Sequence, residues 1–238
     1  MDHPTSTDRH PPRAILFDAG NTLILMNYRA IADYLGGRGW AVTAEQVEEA
    51  ELLARVRLDR DLGAGVSTES TDTHGRYLRY VLGHLGIADA DEVQEIARWR
   101  RGYNLPVGLW DRADPTATAA LRRVKAAGLV TGVISNSNGS VQRILEDTGL
   151  ARHLDFVIDS SRVGVEKPDP RIFQLALERA RVPADAAVYV GDLYSIDVLW
   201  ARRAGLDAVL LDPRGHWWPR DCRIAGGLED AVRLCLDG

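Results

Sequence analysis

Three polar clusters in the chain carry side chains suited to group-transfer chemistry. Asp18 follows the apolar run 14–17, and its carboxylate can act as a nucleophile that forms a covalent phosphoryl or ester intermediate. Ser135 and Asn136 follow a second apolar run, and their hydroxyl and amide can hold phosphoryl oxygens. Lys167 stands at a helix entry, where its ammonium can neutralise a phosphoryl oxygen. Together they supply a nucleophile, hydrogen-bond donors and a positive charge.

A fourth cluster adds two carboxylates after a later apolar run. Asp192 and Asp197 flank a predicted strand-to-helix turn. With Asp18 they offer the hard oxygen ligands that Mg²⁺ prefers. Each cluster alone has an ordinary structural explanation, because acids at strand ends cap turns and helices and most lysines are solvated. Only the joint order of the four clusters indicates a specific chemistry.

The elements that must position these side chains follow an alternating pattern. From residue 112 onward, short apolar runs alternate with helical patterns, which predicts parallel strand–helix–strand units. Ligands of such sheets bind just beyond the carboxyl ends of the strands. The sequence therefore predicts an α/β fold with a Rossmann-like parallel sheet flanked by helices. About five buried strands are expected, at 14–17, 129–134, 156–158, 187–190 and 208–211.

Residues 24–111 differ from the rest because helical periodicity dominates and strand signals are scarce. Thr43 and Gln46 fit a capping box at the start of one helix, and Leu78, Val81 and Leu82 follow a helical stripe. We therefore expect a helical domain inserted into the α/β domain. The predicted organisation is a disordered tail at 1–13, an α/β core at 14–23 plus 112–238, and a helical insertion at 24–111.

The composition limits the kind of partner. The net charge is -5 and the basic residues form no stripe, which argues against nucleic acid as the main partner. No segment approaches the ~18 apolar residues of a membrane span, and residues 1–13 lack the apolar core of a signal peptide. Cys222 and Cys235 have no metal-site spacing, so two ordinary thiols are expected. These features predict a cytoplasmic protein that binds neither membranes nor nucleic acid. A monomer and a homodimer both stay open.

The four clusters, taken in chain order, resemble the motifs of the haloacid dehalogenase-like hydrolase superfamily. Ser135 lies 117 residues after Asp18, Lys167 another 32 residues on and Asp192 another 25. The resemblance covers residues 14–212, and the helical insertion is similar to the type I helical cap of one subfamily. It implies a Mg²⁺-dependent phosphatase of a small phosphorylated metabolite that works through an aspartyl-phosphate on Asp18.

The resemblance also implies roles for individual residues at the matching positions. Mg²⁺ would be bound by the carboxylates of Asp18 and Asp192 and by the backbone carbonyl of Gly20. Asp197 would support the metal through water or through a hydrogen bond to a ligand. The groups that would hold the phosphoryl group and balance its charge are Ala19, Gly20, Ser135, Asn136 and Lys167.

Gly20 is the departure from the pattern. Phosphatases of the superfamily usually place a second Asp two residues after the nucleophile, where it protonates the leaving group and then activates water. Glycine cannot exchange a proton, and the loss of a general acid–base group typically costs roughly 10²–10⁴-fold in rate. Substrates with good leaving groups, or a proton from the helical insertion, are possible solutions. His74 and His84 are candidates by their chemistry.

Two other functions stay open from the sequence. A 2-haloacid dehalogenase also uses an Asp without an acid two residues on, but such enzymes need no Mg²⁺ and usually lack the first acid of the fourth cluster, here Asp192. A phosphate-binding or regulatory protein without turnover would also explain Gly20. A phosphonate-cleaving relative needs a lysine in the cap, and residues 24–111 contain none.

Further polar and aromatic residues of the insertion and of the C-terminal region could serve either function or packing. The side chains with suitable chemistry for a polar metabolite are Arg76, Arg79, Tyr103, Asn104 and Trp110. A structural role is favoured for them: the two arginines are expected on a solvated helix face, and Trp110 at the domain junction. The aromatic loop 216–219 is expected to cover the edge of the core, with a dimer contact as the alternative.

Overall fold

A six-stranded parallel sheet organises the computed structural model, which describes residues 11–62, 67–217 and 219–237. Numbered along the chain, the strands are β1 (Ala14–Phe17), β2 (Ile24–Leu25), β3 (Arg112–Ala113), β4 (Val130–Ser135), β5 (Phe156–Asp159), β6 (Ala187–Gly191), β7 (Asp207–Leu211) and β8 (Arg223–Ala225). The sheet has the order β5-β4-β1-β6-β7-β8, with every neighbouring pair parallel. This is the expected Rossmann-like arrangement, with β1 between β4 and β6.

Helices cover both faces of this sheet and form a separate cluster before β3. They are α1 (Tyr28–Gly37), α2 (Ala44–Leu62), α3 (Thr71–His84), α4 (Ala90–Gly102), α5 (Ala117–Ala126), α6 (Val141–Asp147), α7 (Ser160–Val163), α8 (Pro170–Ala180), α9 (Leu199–Arg203) and α10 (Leu228–Asp237). A π-helical turn, Tyr194–Val198, precedes α9. Helices α5, α6 and α10 pack on one face of the sheet and α8 and α9 on the other.

The central strand shows why the apolar runs are continuous rather than alternating. Ile15 and Phe17 face the side of α5 and α10, whereas Ala14 and Leu16 face the side of α8 and α9. All four side chains are fully buried. Successive residues of a strand point to opposite faces, so a strand covered on both sides must be apolar throughout.

Helices α1 to α4 surround a hydrophobic cluster of their own, which includes Leu35, Val47, Leu82 and Ile96. Thr43 and Gln46 form the predicted capping box, with the Thr43 N–H donating to Gln46 Oε1 at 2.8 Å and the Gln46 N–H donating to Thr43 Oγ1 at 3.2 Å. We call residues 24–111 the helical segment. Strands β2 and β3 pair antiparallel where the chain enters and leaves it.

The structure departs from the sequence-based expectations at three places. Strand β8 was not predicted, because it is a three-residue edge strand in which Ile224 is exposed. Arg13 was placed in the disordered tail, yet its N–H donates to Ala186 O at 2.8 Å and its carbonyl accepts from Val130 at 3.0 Å. Residues 1–10 of that predicted tail lie outside the described residues. Ile24 and Leu25, expected to be part of the helical insertion, form β2.

The loop after β7 covers an edge of the core. The Asp212 carboxylate accepts from the N–H groups of His216 at 2.8 Å and Trp217 at 3.1 Å, and the Trp217 ring is buried on the face of α8 and α9. Trp218 lies outside the described residues. Cys222 and Cys235 are free thiols. No helix in the described ranges is long and apolar enough to cross a bilayer.

Candidate active site

Three neighbouring strands bring the predicted site residues to one edge of the sheet. Asp18 directly follows β1, Ser135 is the last residue of β4, and Asp192 directly follows β6. Because these strands are adjacent and parallel, their carboxyl ends meet. Groups that lie far apart along the chain are therefore close together in space.

Lys167 is buried at the centre of this edge rather than solvated. Its ammonium donates to Asp18 Oδ1 at 2.5 Å, to Asp197 Oδ1 at 2.8 Å and to the Tyr189 hydroxyl at 3.0 Å. Burial opposes the charge, but the carboxylates of Asp18 and Asp197 hold the pKa of Lys167 well above its usual value. The lysine therefore stays protonated beside Asp18.

Asn136 holds the loop that carries Lys167. Its Oδ1 accepts from the backbone N–H of Lys167 at 2.7 Å, and its Nδ2 donates to the Lys167 carbonyl and to Thr68 Oγ1, both at 2.8 Å. The amide side chain thus positions the lysine and the helical segment, which differs from the phosphoryl contact expected for it. The neighbouring Ser135 hydroxyl is buried and lines the site.

Asp18, Asp192 and Asp197 form an acidic cluster in which one carboxylate oxygen of each lies within 4.8 Å of the others. Asp197 Oδ2 accepts from the backbone N–H groups of Asp192 at 3.1 Å and Leu193 at 2.9 Å, while its Oδ1 faces Lys167. A Cβ at Gly191 would lie 2.5 Å from the Asp197 carboxylate, so only glycine fits there. Both carboxylate oxygens of Asp197 therefore already accept hydrogen bonds, from the turn and from the lysine. This suits a supporting role better than direct coordination of a metal.

The electrostatics of the cluster favour a bound cation. Burial raises the pKa of Asp18 to about 6, although Lys167 acts in the opposite direction. Burial also raises the pKa of Asp192 well above its usual value, with Arg55 opposing. With all four carboxylates of Asp18, Asp192, Asp197 and Glu51 ionised, the two buried cations Lys167 and Arg55 would leave a formal charge of −2, which either protons or a bound cation must compensate. Buried charge of one sign is costly unless compensated, and carboxylate oxygens suit Mg²⁺, so these residues fit a divalent cation.

A buried ion pair of the helical segment contacts this cluster and was not predicted. Arg55 donates from Nε and Nη2 to the two oxygens of Glu51 at 3.0 and 2.5 Å, and its Nε lies 3.3 Å from Asp192 Oδ2. Glu51 also accepts from the hydroxyl groups of Tyr77 and Tyr28. In the sequence, an acid four residues before an arginine is typical of an exposed helix face, so no signal distinguished this pair.

Asn21 links the nucleophile turn to the same network. It adopts a φ of 55°, the left-handed conformation that Asn tolerates. Its Nδ2 donates to Glu51 Oε1 at 3.3 Å, and its Oδ1 accepts from Trp110 Nε1 at 3.2 Å. The adjacent Gly20 has no positive φ, and a Cβ there would meet Trp110 Nε1 at 3.5 Å, an ordinary contact. Neither the backbone nor the packing requires glycine at position 20.

A cavity of about 550 Å³ lies between the sheet edge and the helical segment. The predicted site residues that line it are Asp18, Ala19, Gly20, Ser135, Asn136, Lys167, Asp192 and Asp197. The helical segment contributes side chains that include Arg55, Glu69, His74, Arg100, Tyr103 and Trp110. All the residues that the resemblance identified are therefore brought together around one cavity.

Four of the candidates from the helical segment do not reach this cavity. Arg76 pairs with Asp72 at 3.0 Å and Asn104 donates to Asp111 at 3.1 Å, whereas His84 and Arg79 are exposed. These side chains are surface residues, as their amphipathic or turn positions permit.

His74 does line the cavity, but it is a poor proton donor. Burial and the nearby Arg100 lower the pKa of His74 to about 4. The imidazole is therefore neutral at pH 7, where a general acid must carry a proton to give.

Sequence comparison agrees with the geometry of this site. A family model described as haloacid dehalogenase-like hydrolase matches residues 12–205. The chain belongs to the haloacid dehalogenase-like hydrolase family. A relative from Danio rerio, "Haloacid dehalogenase-like hydrolase domain-containing protein 3", is 31% identical over 211 residues, which cover 86% of each chain.

Family members with different named activities also resemble the chain. A phosphoserine phosphatase from Thermus thermophilus is 40% identical over 99 residues, 41% of this chain and 40% of that protein. An (S)-2-haloacid dehalogenase from Pseudomonas putida is 28% identical over 232 residues, 92% of this chain and 97% of the dehalogenase. Membership of the family thus establishes a hydrolase and leaves the substrate class to other arguments.

A solved structure of the family shares the fold. The HAD-hydrolase YfnB from Bacillus subtilis, bound to magnesium, superposes with a TM-score of 0.66 at 20% identity. The match covers 95% of this chain and 99% of that one. The similarity extends through the helical segment as well as the sheet.

Proposed function

We propose that this HAD-like hydrolase is a Mg²⁺-dependent phosphatase of a small phosphorylated metabolite. The observation that supports the proposal most strongly is the excess negative charge of the buried cluster around Asp18 and Asp192. A dehalogenase needs no divalent cation, and a second buried acid beside Asp18, here Asp192, would add negative charge to its site without serving the reaction.

The proposed mechanism assigns the covalent step to Asp18. Its carboxylate attacks phosphorus in line with the leaving oxygen and forms an aspartyl-phosphate, which water then hydrolyses. Lys167 balances the charge on the phosphoryl group, and the Ser135 hydroxyl donates a hydrogen bond to it. The backbone amides of Ala19 and Gly20 complete the cradle.

Three groups would hold the metal: the carboxylates of Asp18 and Asp192 and the carbonyl of Gly20. When bound, Mg²⁺ supplies positive charge that stabilises the phosphoryl oxygens. Asp197 would keep Asp192 and Lys167 in place through the hydrogen bonds described above. Arg55 and Asn21 approach only Oδ2 of Asp192, and Oδ1 has no hydrogen-bond partner among the described residues, so it stays available as a ligand.

We further propose that the helical segment acts as a cap that selects the substrate. It closes over the carboxyl edge of the sheet through the Arg55–Asp192 pair, the Thr68–Asn136 hydrogen bond and the bond from the Ser195 N–H to Asp59 at 2.7 Å. A cavity enclosed in this way excludes water and contacts the part of the substrate remote from phosphorus.

The function is tested by measuring phosphate release from a panel of phosphorylated metabolites, with Mg²⁺ and with EDTA, and chloride release from 2-chloropropionate. We expect phosphate release that requires Mg²⁺ and no chloride release. Chloride release without metal would replace the proposal by the dehalogenase function, which the name of the Pseudomonas putida relative also suggests. No turnover combined with Mg²⁺-dependent phosphate binding would indicate a regulatory protein.

Replacing Gly20 with Asp is expected to favour substrates with poor leaving groups. A Cβ at position 20 has room beside Trp110, and the family resemblance implies that an Asp there protonates the leaving oxygen. The ratio of kcat/KM for phenyl phosphate to that for p-nitrophenyl phosphate should rise, by up to about 10²-fold, the lower end of one general acid's contribution. An equal change on both substrates would show that the Asp acts in another way, and Gly20→Ala controls for the added Cβ.

A further inference from the structure

The proposed phosphatase function, on which this inference rests, has no assigned proton donor, because Gly20 cannot provide a proton. Most titratable groups of the cavity are already engaged. Tyr77 donates to Glu51, and the Tyr103 hydroxyl accepts from Asn27 at 3.3 Å. His74 is neutral for the reason given above. The carboxyl group on the wall contributed by the helical segment is that of Glu69.

Glu69 stands on a short stretch that is fixed to the phosphoryl site. Ser67 Oγ donates to Glu166 at 3.1 Å, next to Lys167, and accepts from the Glu69 N–H at 3.1 Å. Thr68 Oγ1 accepts from Asn136, whose side chain holds the Lys167 loop. The backbone of Glu69 is thus anchored through its neighbours to the element that carries Lys167.

The Glu69 side chain is half-buried, and no hydrogen bond or ion pair engages its carboxylate in the part of the chain that the structure describes. Burial raises its pKa, and the carboxylates of Glu166, Asp159 and Asp18 act in the same direction, against the opposing charge of Arg100. A carboxyl group in these surroundings holds a proton at a higher pH than an exposed glutamate does, which suits a general acid.

We propose that Glu69 is the general acid and base of the reaction, acting from the helical segment in place of the residue missing at Gly20. In-line displacement puts the leaving oxygen on the side of phosphorus away from Asp18. Glu69 lines the cavity on the side contributed by the helical segment, and the proposal places the leaving group on that side.

The proton balance closes over the two steps. In the first, an Asp18 oxygen bonds to phosphorus, the bond to the leaving oxygen breaks with its electron pair, and the Glu69 proton passes to that oxygen, which leaves as an alcohol. In the second, Glu69 takes a proton from water while the water oxygen bonds to phosphorus. The bond to Asp18 breaks with its electron pair, which restores the Asp18 carboxylate, protonated Glu69 and free phosphate.

The test compares Glu69→Gln with the unchanged protein on phenyl phosphate and p-nitrophenyl phosphate in Mg²⁺, since the two differ mainly in leaving-group basicity. We expect kcat/KM for phenyl phosphate to fall about 10²-fold, and that for p-nitrophenyl phosphate to change only a few-fold. The loss of the base should also slow the second step, so p-nitrophenol should appear as a burst followed by a slower steady rate.

The pH dependence of kcat/KM separates a catalytic role of Glu69 from a structural one, because a purely structural role would leave it unchanged. A general acid must be protonated, so kcat/KM for phenyl phosphate should decline as pH rises through the pKa of Glu69, and this decline should vanish in Glu69→Gln. Glu69→Asp should retain the decline. Gly20→Asp should increase activity by a larger factor in the Glu69→Gln variant than in the unchanged protein. Asp72→Asn is the matched control, because Asp72 is an exposed acid of α3 that lies outside the cavity.

The outcomes separate this inference from the function on which it rests. Equal losses on both substrates, or none, would overturn the role of Glu69 while Mg²⁺-dependent phosphate release still supports a phosphatase. No metal-dependent release from the unchanged protein would overturn both.

Discussion

Replacement of Asp18 by Asn is expected to abolish phosphate release while the protein stays folded. Asn retains an oxygen that can accept from Lys167, but it cannot form the aspartyl-phosphate. Loss of the nucleophile in a serine protease, another enzyme with a covalent mechanism, lowers kcat by on the order of 10⁶-fold. The measurement is steady-state hydrolysis of p-nitrophenyl phosphate in Mg²⁺, together with the thermal midpoint of both proteins. We expect the thermal midpoint not to fall. The fold raises the pKa of the Asp18 carboxyl, so its ionised form is unfavourable in the folded protein, and Asn removes that buried charge.

The intermediate provides a second readout for the same residue. Rapid acid quenching of the unchanged protein during turnover should trap phosphate on the peptide that contains Asp18, and Asp18→Asn should give no such adduct. Asp72→Asn serves as the control for removing an acid from the surface. Hydrolysis by Asp18→Asn at the unchanged rate would show that Asp18 is not the nucleophile.

Replacement of Lys167 by Met is expected to cost both stability and activity. The substitution leaves the buried carboxylates of Asp18 and Asp197 without their shared cation. Breaking a buried ion pair by removing one partner typically costs about 3–5 kcal/mol of unfolding free energy. Urea denaturation followed by far-UV circular dichroism measures this loss, and the phosphate assay should show that turnover is lost as well.

The chain offers a matched control for this experiment, since Lys125 is its one other lysine. Lys125 also pairs with a carboxylate, that of Asp155 at 2.6 Å, but both side chains are more than a third exposed. Exposed pairs contribute about 0–1 kcal/mol, so Lys125→Met should be nearly neutral. The double variant Lys167→Met/Asp197→Asn should recover part of the loss, because the two sites are in contact. Equal destabilisation by both lysine variants would contradict the buried-pair argument.

Much of the fold could be predicted from local signals. Continuous apolar runs mark strands covered on both faces, and the helix starts at Thr43 and Asp169 carry capping side chains that the structure uses. The fold class and the family were correct for this reason. Strand β8 was not predicted because an edge strand of three residues, with Arg223 half-buried, Ile224 exposed and Ala225 buried, is too short to show such a pattern.

The candidate site was harder to predict in detail because its geometry depends on long-range contacts. Residue types and their order predict Asp18 as a nucleophile and Lys167 as a cation beside it. Residue types and order did not indicate that the Asn136 amide would hydrogen-bond to the backbone of Lys167. They also did not indicate that Glu51 and Arg55 would be buried. Residue type gives the hydrogen-bonding capacity of a side chain, whereas its partners depend on which elements the fold brings together.

By itself, the sequence determined the α/β fold class, the family and the set of groups that chemistry at one sheet edge requires, because those depend on local pattern and on the order of motifs. Only the tertiary structure decided which charged groups come together: Arg55 beside Asp192, Lys167 between two carboxylates, and Glu69 in the lining of the same cavity as Asp18. Electrostatic interactions depend on distance and burial, and neither quantity exists until the chain has folded.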